Sequence, residues 1–469
     1  MNSWRAALRA APRRSDLVAV LGLGLAARLL VVAWANGRFP PADDGSFYQV
    51  VAERIARGQG YTWAWPDGAV TYAAHYPVGY PALIGLGYAL FGSAPLVAML
   101  INCALGTLGV WACYRLCEGT GQRGPTLLGG VLAALHPSLV FYTPALMTEG
   151  VTAALLACLG WLSVRARGRS VTWLFALGVL GGLLGLVRPQ ALILAPVFGA
   201  ISAAAGWAAR LRRAVVVSAL SVLACLPWTL RNCQRLDHCA FVSANGGWNL
   251  FIGSAAKATG RWVAIDELGV PDECKHEFGE AGEDRCFGRA GVENVRRAPG
   301  HFIGLIPAKL SATFDWSGAP GHYLNASNGA AFGPSQKLAL GISEALVTRA
   351  LVLCGILGLG LARGPRPLGR RVAALLSAVW LFRPEAWLAH LLMLLLAFRF
   401  GRALWERPNW LLGASAVLAT AVTHAIFFGA GRYGLVCVLL LIPLAMEGLA
   451  VKGAPSAILP TFDSRSPSG

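Results

Sequence analysis

Apolar runs of about 20 residues recur along the whole chain, and they constrain its fold more than any other feature. A run of this length lets an α-helix cross the hydrocarbon core of a bilayer. Only 13% of the residues are charged, whereas soluble domains average about 25%. The first run, residues 16–36, follows a basic start and precedes no small-residue cleavage site, so we interpret it as an uncleaved span. The sequence therefore predicts an all-α polytopic membrane protein.

The net charge of +17 comes largely from arginines clustered in short loops. These loops lie at alternate ends of the apolar runs, as the positive-inside rule expects of cytoplasmic loops. A solvated basic stripe with interleaved aromatic residues is absent, so we predict no nucleic-acid partner. The clusters are Arg165, Arg167 and Arg169; Arg210, Arg212 and Arg213; and Arg363, Arg366, Arg370 and Arg371.

Alternation of the runs from these loops puts both termini in the cytoplasm and two polar segments outside. We predict about ten to twelve spans, one of them over residues 192–207. The weak point is the segment 372–398, whose two short apolar pieces flank Arg383-Pro384-Glu385 and either form a hairpin or lie at the interface. The predicted domains are an N-terminal membrane module 1–230 with an external loop 37–94, an external domain 231–335 of helix and loop, and C-terminal helices with a cytoplasmic tail, 336–469.

The two external segments differ in character. The loop after the first span holds Asp43 and Asp44, then an amphipathic helix over residues 46–57. An adjacent carboxylate pair so close to lipid is either a hydrated helix cap or a functional group. The second segment contains four of the eleven cysteines, which could form two disulfides if this side is oxidising. They are Cys233, Cys239, Cys274 and Cys286, and the sequence leaves their pairing open.

Further polar motifs follow the carboxylate pair in order. They are Tyr72-Ala73-Ala74-His75-Tyr76-Pro77, Thr148-Glu149, Pro227-Trp228-Thr229-Leu230-Arg231-Asn232, Asn245-Gly246-Gly247-Trp248-Asn249, His424 and Arg432-Tyr433. Together they resemble the bacterial membrane glycosyltransferases of the GT-C fold, close to glycosyltransferase family 39 and its protein-mannosyltransferase-like relatives, which include enzymes that transfer aminoarabinose to lipid A. The resemblance extends from Asp43 to about Pro443.

This resemblance implies transfer of a sugar from a polyprenyl-phosphate donor to a glycan, glycolipid or protein acceptor at the external face of the plasma (inner) membrane. The family pattern of an Asp, a Tyr four residues on and an Ala four residues later fits Asp44, Tyr48 and Ala52. Asp44 is therefore the predicted catalytic base, with Asp43 as the near alternative. A positioned carboxylate can take the proton of a hydroxyl as that hydroxyl attacks C1 of the sugar.

The remaining predicted site residues bind the donor phosphate or another part of the substrate. For the arginines the alternative is an interfacial anchor that snorkels to lipid headgroups, and for Glu149 it is a carboxylate at a helix N-terminus. His75 stands where the aminoarabinose transferases have a lysine, which argues against that particular sugar. The set comprises His75, Tyr76, Arg188, Arg231, Arg432, Tyr433, Glu149 and Asn245.

No cofactor is predicted. Asp43, Asp44 and Glu149 offer oxygen ligands suited to Mg or Mn, and oligosaccharyltransferase relatives use such a metal, but the family 39 branch generally does not. Three alternatives stay open: a flippase or transporter of lipid-linked glycans, a ligase or polymerase that uses a pyrophosphate donor, and an assembly protein without catalysis. A transporter would place ionisable groups at the midplane and show internal repeats, whereas here the polar residues gather at one face.

Overall fold

The computed structural model describes residues 9–315, 318–362 and 367–450, and nearly all of its regular structure is helical. The first ten helices are α1 (Arg14–Ala35), α2 (Asp44–Ala56), α3 (Gly79–Phe91), α4 (Pro95–Cys117), α5 (Arg123–Leu135), α6 (Pro137–Phe141), α7 (Thr148–Arg165), α8 (Val171–Val187), α9 (Ala195–Ile201) and α10 (Trp207–Arg235). Strands β1 (Thr62–Ala64) and β2 (Val70–Tyr72) pair antiparallel between α2 and α3, with Thr62 opposite Tyr72.

Twelve more helices follow. They are α11 (Gly246–Ser254), α12 (Ile265–Leu268), α13 (Glu280–Arg297), α14 (Pro299–Gly304), α15 (Ile306–Phe314), α16 (Ala319–Ser327), α17 (Pro334–Leu361), α18 (Pro367–Trp380), α19 (Trp387–Phe398), α20 (Pro408–Ile426), α21 (Gly431–Gly434) and α22 (Val438–Leu449). Short 3-10 helices lie at Glu118–Thr120, Pro189–Leu194, Asp272–Cys274, Gly401–Glu406 and Leu435–Cys437.

Seven helical segments of the described chain are long and apolar enough to cross a membrane. They are Arg14–Ala35, Pro95–Thr120, Arg123–Phe141, Trp207–Arg235, Pro334–Leu361, Pro408–Ile426 and Gly431–Leu449. Four shorter apolar helices accompany them, at Gly79–Phe91, Val171–Val187, Pro189–Ile201 and Trp387–Phe398. The prediction of a multi-pass, all-α membrane protein is confirmed, while the full number of spans stays a prediction.

Two membrane segments differ in detail from expectation. The predicted span 192–207 is wrong, because its helix ends at Ile201 and Trp207 already begins α10. Gly206, with a positive φ of +81°, precedes that new start. Residues 372–398 form the hairpin alternative, with α18 and α19 packed on each other and on α17. Arg363, Arg366 and the predicted tail over residues 451–469 lie outside the described residues.

A buried arginine supports the break between α5 and α6. Pro137 has no N–H to give to the carbonyl of Ala133, four residues earlier. The Arg28 guanidinium, inside α1, donates instead to the carbonyl oxygens of Ala133 at 3.4 Å and Ala134 at 3.1 Å. Every backbone carbonyl at this depth needs such a partner, because no water is available in the hydrocarbon core. The break leads the chain into the turn that precedes Glu149.

The polar segment between α10 and α17 folds as a lobe, here defined as residues 236–315 and 318–333. It has its own core, in which Phe251, Phe287 and Leu268 pack around the Cys274–Cys286 disulfide. A second disulfide joins Cys233, in α10, to Cys239. Phe428 and Tyr433, which follow α20, also pack into the lobe core, so the lobe is anchored on the last helices of the bundle. The predicted domain boundaries stay a prediction.

Candidate active site

One large cavity, of about 1050 Å³, lies between the lobe and the neighbouring helix ends. Pockets for drug-sized ligands are usually about 300–1,000 Å³, so this cavity has room for a sugar and part of an acceptor. Nine of the ten predicted site residues line it. They are Asp43, Asp44, His75, Tyr76, Glu149, Arg188, Asn245, Arg432 and Tyr433.

Asp44, the predicted base, is held at the first turn of α2 by two partners from distant parts of the chain. Its Oδ1 accepts a hydrogen bond from the Tyr76 hydroxyl at 2.7 Å, and its Oδ2 receives Nη1 of Arg432 at 2.6 Å. Burial by itself would raise the pKa of Asp44, but the Arg432 charge and the two hydrogen bonds outweigh it and lower that pKa. Asp44 is thus ionised near neutral pH and remains about one-fifth exposed to the cavity.

Glu149 forms a second charged group on the cavity wall. Its carboxylate is 2% exposed, and it receives Nη1 of Arg188 at 3.0 Å and the Tyr142 hydroxyl at 2.7 Å. Nε of Arg432 lies 3.7 Å from the same carboxylate, so Arg432 stands between Asp44 and Glu149. Glu149 occupies the first turn of α7 and also lines the cavity, and its role in binding substrate stays a prediction.

The aromatic ring of Tyr433 contacts both arginines of the cavity wall, Arg188 and Arg432. It stacks on the His424 imidazole with ring centroids 4.0 Å apart, and the guanidinium carbons of Arg188 and Arg432 lie 5.2 and 5.1 Å from its centroid. Guanidinium groups are attracted to aromatic faces at such distances. The loop before Tyr433 is fixed by Gly429, where a Cβ would overlap the Lys309 carbonyl. Close backbone contact therefore requires glycine at this position.

His75 and Tyr76 lie in a loop whose backbone is held from two sides. Arg231 donates to the carbonyl of Ala73 at 2.9 Å, and the Glu280 carboxylate accepts the N–H groups of Ala74 and His75. Burial lowers the pKa of His75 to about 4 despite the opposing effect of Asp44. The imidazole is consequently neutral near pH 7, and it offers a substrate a hydrogen bond but no charge.

The structure does not bring Arg231 into the cavity. Besides Ala73, its guanidinium donates to the Tyr61 carbonyl at 2.6 Å and lies 4.6 Å from the centroid of the Trp228 ring. These partners are neutral and belong to the β-hairpin and to α10. The predicted topology gave no reason to distinguish Arg231 from Arg432. It carries no information about the local packing that encloses Arg231.

Asp43 faces a different partner from that of its neighbour. Its carboxylate lies 3.4 Å from Nε2 of His322, and its φ of +50° is the only positive φ among the described non-glycine residues. A left-handed residue of this kind is strained, and such strain is common at functional sites. The predicted Asn245 occupies the N-cap position of α11, but its side-chain oxygen accepts the Ser243 hydroxyl at 3.1 Å rather than a backbone N–H of the helix.

Sequence reasoning missed the contribution of the lobe. Tyr323, whose hydroxyl contacts Arg432, lies on the cavity wall beside His322. Arg261, Trp262 and Trp248 line the same cavity. Trp248 belongs to the motif Asn245-Gly246-Gly247-Trp248-Asn249, whose glycines are a weak signal for turns near the site. No motif distinguished Tyr323 or His322.

A metal site is not apparent in the described parts of the chain, where no group of three or more His, Cys, Asp or Glu side chains is arranged to hold an ion. The carboxylates of Asp44 and Glu149 instead bind the guanidinium groups of Arg432 and Arg188. The expectation that no metal is used stays a prediction. Chemically, the cavity combines an ionised carboxylate that can accept a proton with cations that can stabilise an anion.

Comparison with known proteins gives one family match. Residues 75–230 match the family described as dolichyl-phosphate-mannose-protein mannosyltransferase. This match, over about a third of the chain, confirms for that region the resemblance to protein-mannosyltransferase-like enzymes of the GT-C fold. It includes His75, Tyr76, Glu149 and Arg188. A search of curated proteins found no match.

Two solved structures are similar at low identity. The apo oligosaccharyltransferase of Archaeoglobus fulgidus aligns over 93% of this chain and 50% of its own, with 13% identity and a TM-score of 0.49. ArnT of Cupriavidus metallidurans bound to undecaprenyl phosphate aligns over 91% of this chain and 77% of its own, with 15% identity and a TM-score of 0.37. The chain spans about half the length of the oligosaccharyltransferase.

Proposed function

We propose that this protein is a membrane glycosyltransferase that moves a sugar from a polyprenyl-phosphate donor to an acceptor hydroxyl, with Asp44 as the general base. The observation that carries the proposal is the single cavity in which Asp44 meets Arg432, Glu149 and Arg188. The family match over residues 75–230 supports the same class of reaction.

The reaction is a single displacement at C1 of the sugar. The acceptor oxygen forms a bond to C1 while the bond between C1 and the phosphate oxygen breaks, and its electron pair leaves with the phosphate. The hydroxyl proton passes to the Asp44 carboxylate, and the configuration at C1 inverts. General bases of this kind typically contribute about 10²–10⁴-fold to the rate.

Arg432 keeps the carboxylate of the proposed base, Asp44, ionised. A carboxylate as buried as Asp44 would tend to take up a proton, because burial disfavours the charged form. The Arg432 guanidinium at 2.6 Å opposes this effect and keeps the carboxylate ionised near neutral pH. The Tyr76 hydrogen bond fixes the orientation of the same group.

The direction of two helices supports an active site on the external face of the plasma membrane. Helix α7 begins at the cavity with Glu149 and ends at Arg165. Helix α10 begins beside Arg210 and ends next to the lobe after Arg231. Arginine-rich helix ends remote from the cavity are typical of the cytoplasmic side.

The test is a transfer assay with purified protein, radiolabelled polyprenyl-phosphate sugars and a membrane extract as the source of acceptors. We expect free polyprenyl phosphate and a labelled acceptor from the wild type, and loss of both from Asp44→Asn. Asp67→Asn is the matched control, because Asp67 lies in the same loop region but is exposed and outside the cavity lining.

Each other outcome has a clear meaning. Full turnover by folded Asp44→Asn would refute the assignment of the base. Labelled lipid that crosses the bilayer intact would favour the flippase alternative. Transfer from pyrophosphate donors alone would favour a ligase or polymerase.

A further inference from the structure

Lys309, in helix α15 of the lobe, is a fully buried lysine that the proposed reaction does not use. Its ammonium group makes no ion pair with a carboxylate in the parts of the chain that the structure describes. Lysine is almost never fully buried unless it is paired. Burial lowers the pKa of Lys309 to about 8, so the group is still mostly protonated at pH 7. A buried charge of this kind requires partners of another type.

The partners of Lys309 are the last carbonyl groups of α20. Its Nζ donates to the carbonyl oxygens of Ala425 at 3.2 Å and Ile426 at 3.1 Å. The same nitrogen lies 4.1 Å from the centroid of the Phe302 ring. The last four carbonyl groups of an α-helix have no partner within the helix, and the negative end of the helix dipole attracts cations. Lys309 therefore caps α20 from the lobe, at the point where the chain leaves the helix towards Arg432.

Helix α15 also packs closely on the backbone at both ends of the segment that carries Arg432. A Cβ on Gly429 would overlap the carbonyl group of Lys309. A Cβ on Gly434 would lie 2.7 Å from the carbonyl oxygen of Thr313, one turn further along α15. The Thr313 hydroxyl donates to the Lys309 carbonyl at 2.9 Å, which joins the two contact points. The position of Arg432 in the cavity thus depends on how α15 packs on its neighbours in the chain.

We propose that Lys309 is a positioning residue for the base Asp44. It holds the start of the loop 427–430, which connects α20 to α21, and this loop sets the place of the Arg432 guanidinium. The inference rests on the proposed function, and it gives the lobe a part in maintaining the charge of the base. Lys309 touches neither Asp44 nor the cavity, so it acts only through Arg432.

The contact between Arg432 and Asp44 is short enough to be sensitive to such positioning. Nη1 of Arg432 lies 2.6 Å from Oδ2 of Asp44, and both the hydrogen bond and the attraction between the charges weaken as this distance grows. A displaced guanidinium would oppose the effect of burial less, so the pKa of Asp44 would rise. Misplacement of a catalytic group by about 1 Å can lower a rate about 10²-fold.

The experiment compares the wild type with Lys309→Met, which keeps an unbranched side chain but removes the N–H donors and the charge. We expect kcat for transfer to fall about 10- to 100-fold, and the acid limb of the kcat/KM profile to shift to higher pH. Lys309→Gln keeps N–H donors without the charge, so it should recover part of both. Hydrogen exchange of the backbone amides of residues 427–434, measured by mass spectrometry, should be faster in Lys309→Met than in the wild type.

Leu177→Ala is the control for a loss of stability alone. Leu177 is buried within α8 and lies outside the cavity lining. Its truncation should lower the melting temperature, because it leaves a cavity in the bundle core. The acid limb and the exchange of residues 427–434 should stay as in the wild type. A lysine with a purely structural role would behave like Leu177 in this comparison.

The outcomes separate this inference from the function on which it rests. An acid limb that stays in place in folded Lys309→Met, or that moves equally in Leu177→Ala, would overturn the role of Lys309. The glycosyltransferase proposal would remain intact if Asp44→Asn still abolished transfer. Absence of transfer by the wild type would instead overturn the proposed function. Hydrogen exchange needs no substrate, so unchanged exchange of residues 427–434 in Lys309→Met would refute the hold of Lys309 on the loop in either case.

Discussion

Arg231 and Arg432 lie in two regions that the sequence made look alike, and the structure gives them different surroundings. Arg231, near the end of α10, donates to the backbone carbonyls of Ala73 and Tyr61 and packs among aromatic rings. Arg432, at the start of α21, lies between the carboxylates of Asp44 and Glu149. Both are polar groups at helix ends near the lobe.

The difference shows that the partners of an arginine determine its role more than its depth in the membrane does. Neutral carbonyl groups gain a hydrogen bond from a guanidinium, but their protonation does not change. A carboxylate next to a guanidinium has its pKa lowered and remains available as a base. From these contacts we predict a positioning role for Arg231, which holds the loop that carries Tyr76, and a direct effect of Arg432 on the charge of Asp44.

The largest effect should come from Arg432→Ala. Without the guanidinium, burial raises the pKa of Asp44, so a smaller fraction of the base is ionised at neutral pH. We expect transfer to fall about 10²–10³-fold at pH 7, with partial recovery at higher pH. The measurement is the pH dependence of kcat/KM between about pH 5 and 9. The acid limb of this profile should shift to higher pH in the variant.

The control is Arg432→Lys, which keeps the positive charge and should leave the acid limb close to its wild-type position. A limb that stays in place in Arg432→Ala would contradict the effect on the base. It would then reduce Arg432 to the same positioning role as Arg231, and the contrast between the two regions would disappear.

Arg231→Ala should have a smaller effect on transfer and a larger one on stability. Loss of its hydrogen bonds to two carbonyls should reduce the free energy of unfolding by about 2 kcal/mol. Thermal denaturation of the purified protein would measure this, while transfer should fall less than about 10-fold with an unshifted pH profile. Arg235→Ala is the matched control, since this exposed neighbour on α10 donates to the Tyr72 hydroxyl at 3.1 Å and lies over the same ring. A shifted acid limb in Arg231→Ala would mean that Arg231 also controls the base.

The smallest effect should come from Glu280→Gln, on the other side of the same loop. Burial raises the pKa of Glu280 although two backbone N–H groups bind its carboxylate. A carboxyl group with a raised pKa in the folded state makes the wild type lose stability as pH rises above about 4.3, the usual value for Glu. The amide keeps an acceptor oxygen but does not titrate, so the melting temperature of Glu280→Gln should lack this decline. Parallel melting curves for the two proteins from pH 4 to 7 would contradict the assignment.

The sequence predicted most of the membrane bundle. Apolar runs located the long helices, because a helix that crosses the bilayer needs about 20 apolar residues in succession. The exception was the segment before Trp207, where the 3-10 turn Pro189–Leu194 and the short α9 read as one continuous apolar run. Periodicity does not distinguish a broken helix from an intact one when both halves are buried.

The candidate site was predictable to a different extent. The site residues of the membrane module were predicted from the order of the motifs, because the family resemblance depends on that order. The lobe residues Tyr323, His322 and Arg261 are separated from Asp44 by more than two hundred positions, and their approach depends on how the lobe packs on α20 and α21. The pairing of Cys274 with Cys286 was undetermined for another reason, because four cysteines allow three connectivities and the sequence does not choose among them.

The left-handed backbone of Asp43 has a consequence for the adjacent carboxylates. Because the chain turns at that residue, one side chain meets His322 and the next meets Tyr76 and Arg432. The carboxylate of Asp43 therefore cannot replace that of Asp44. A cell that lost Asp44 could not regain activity through a change in the side-chain conformation of Asp43. Recovery would require rebuilding the backbone, so revertants should restore the acid at position 44 itself.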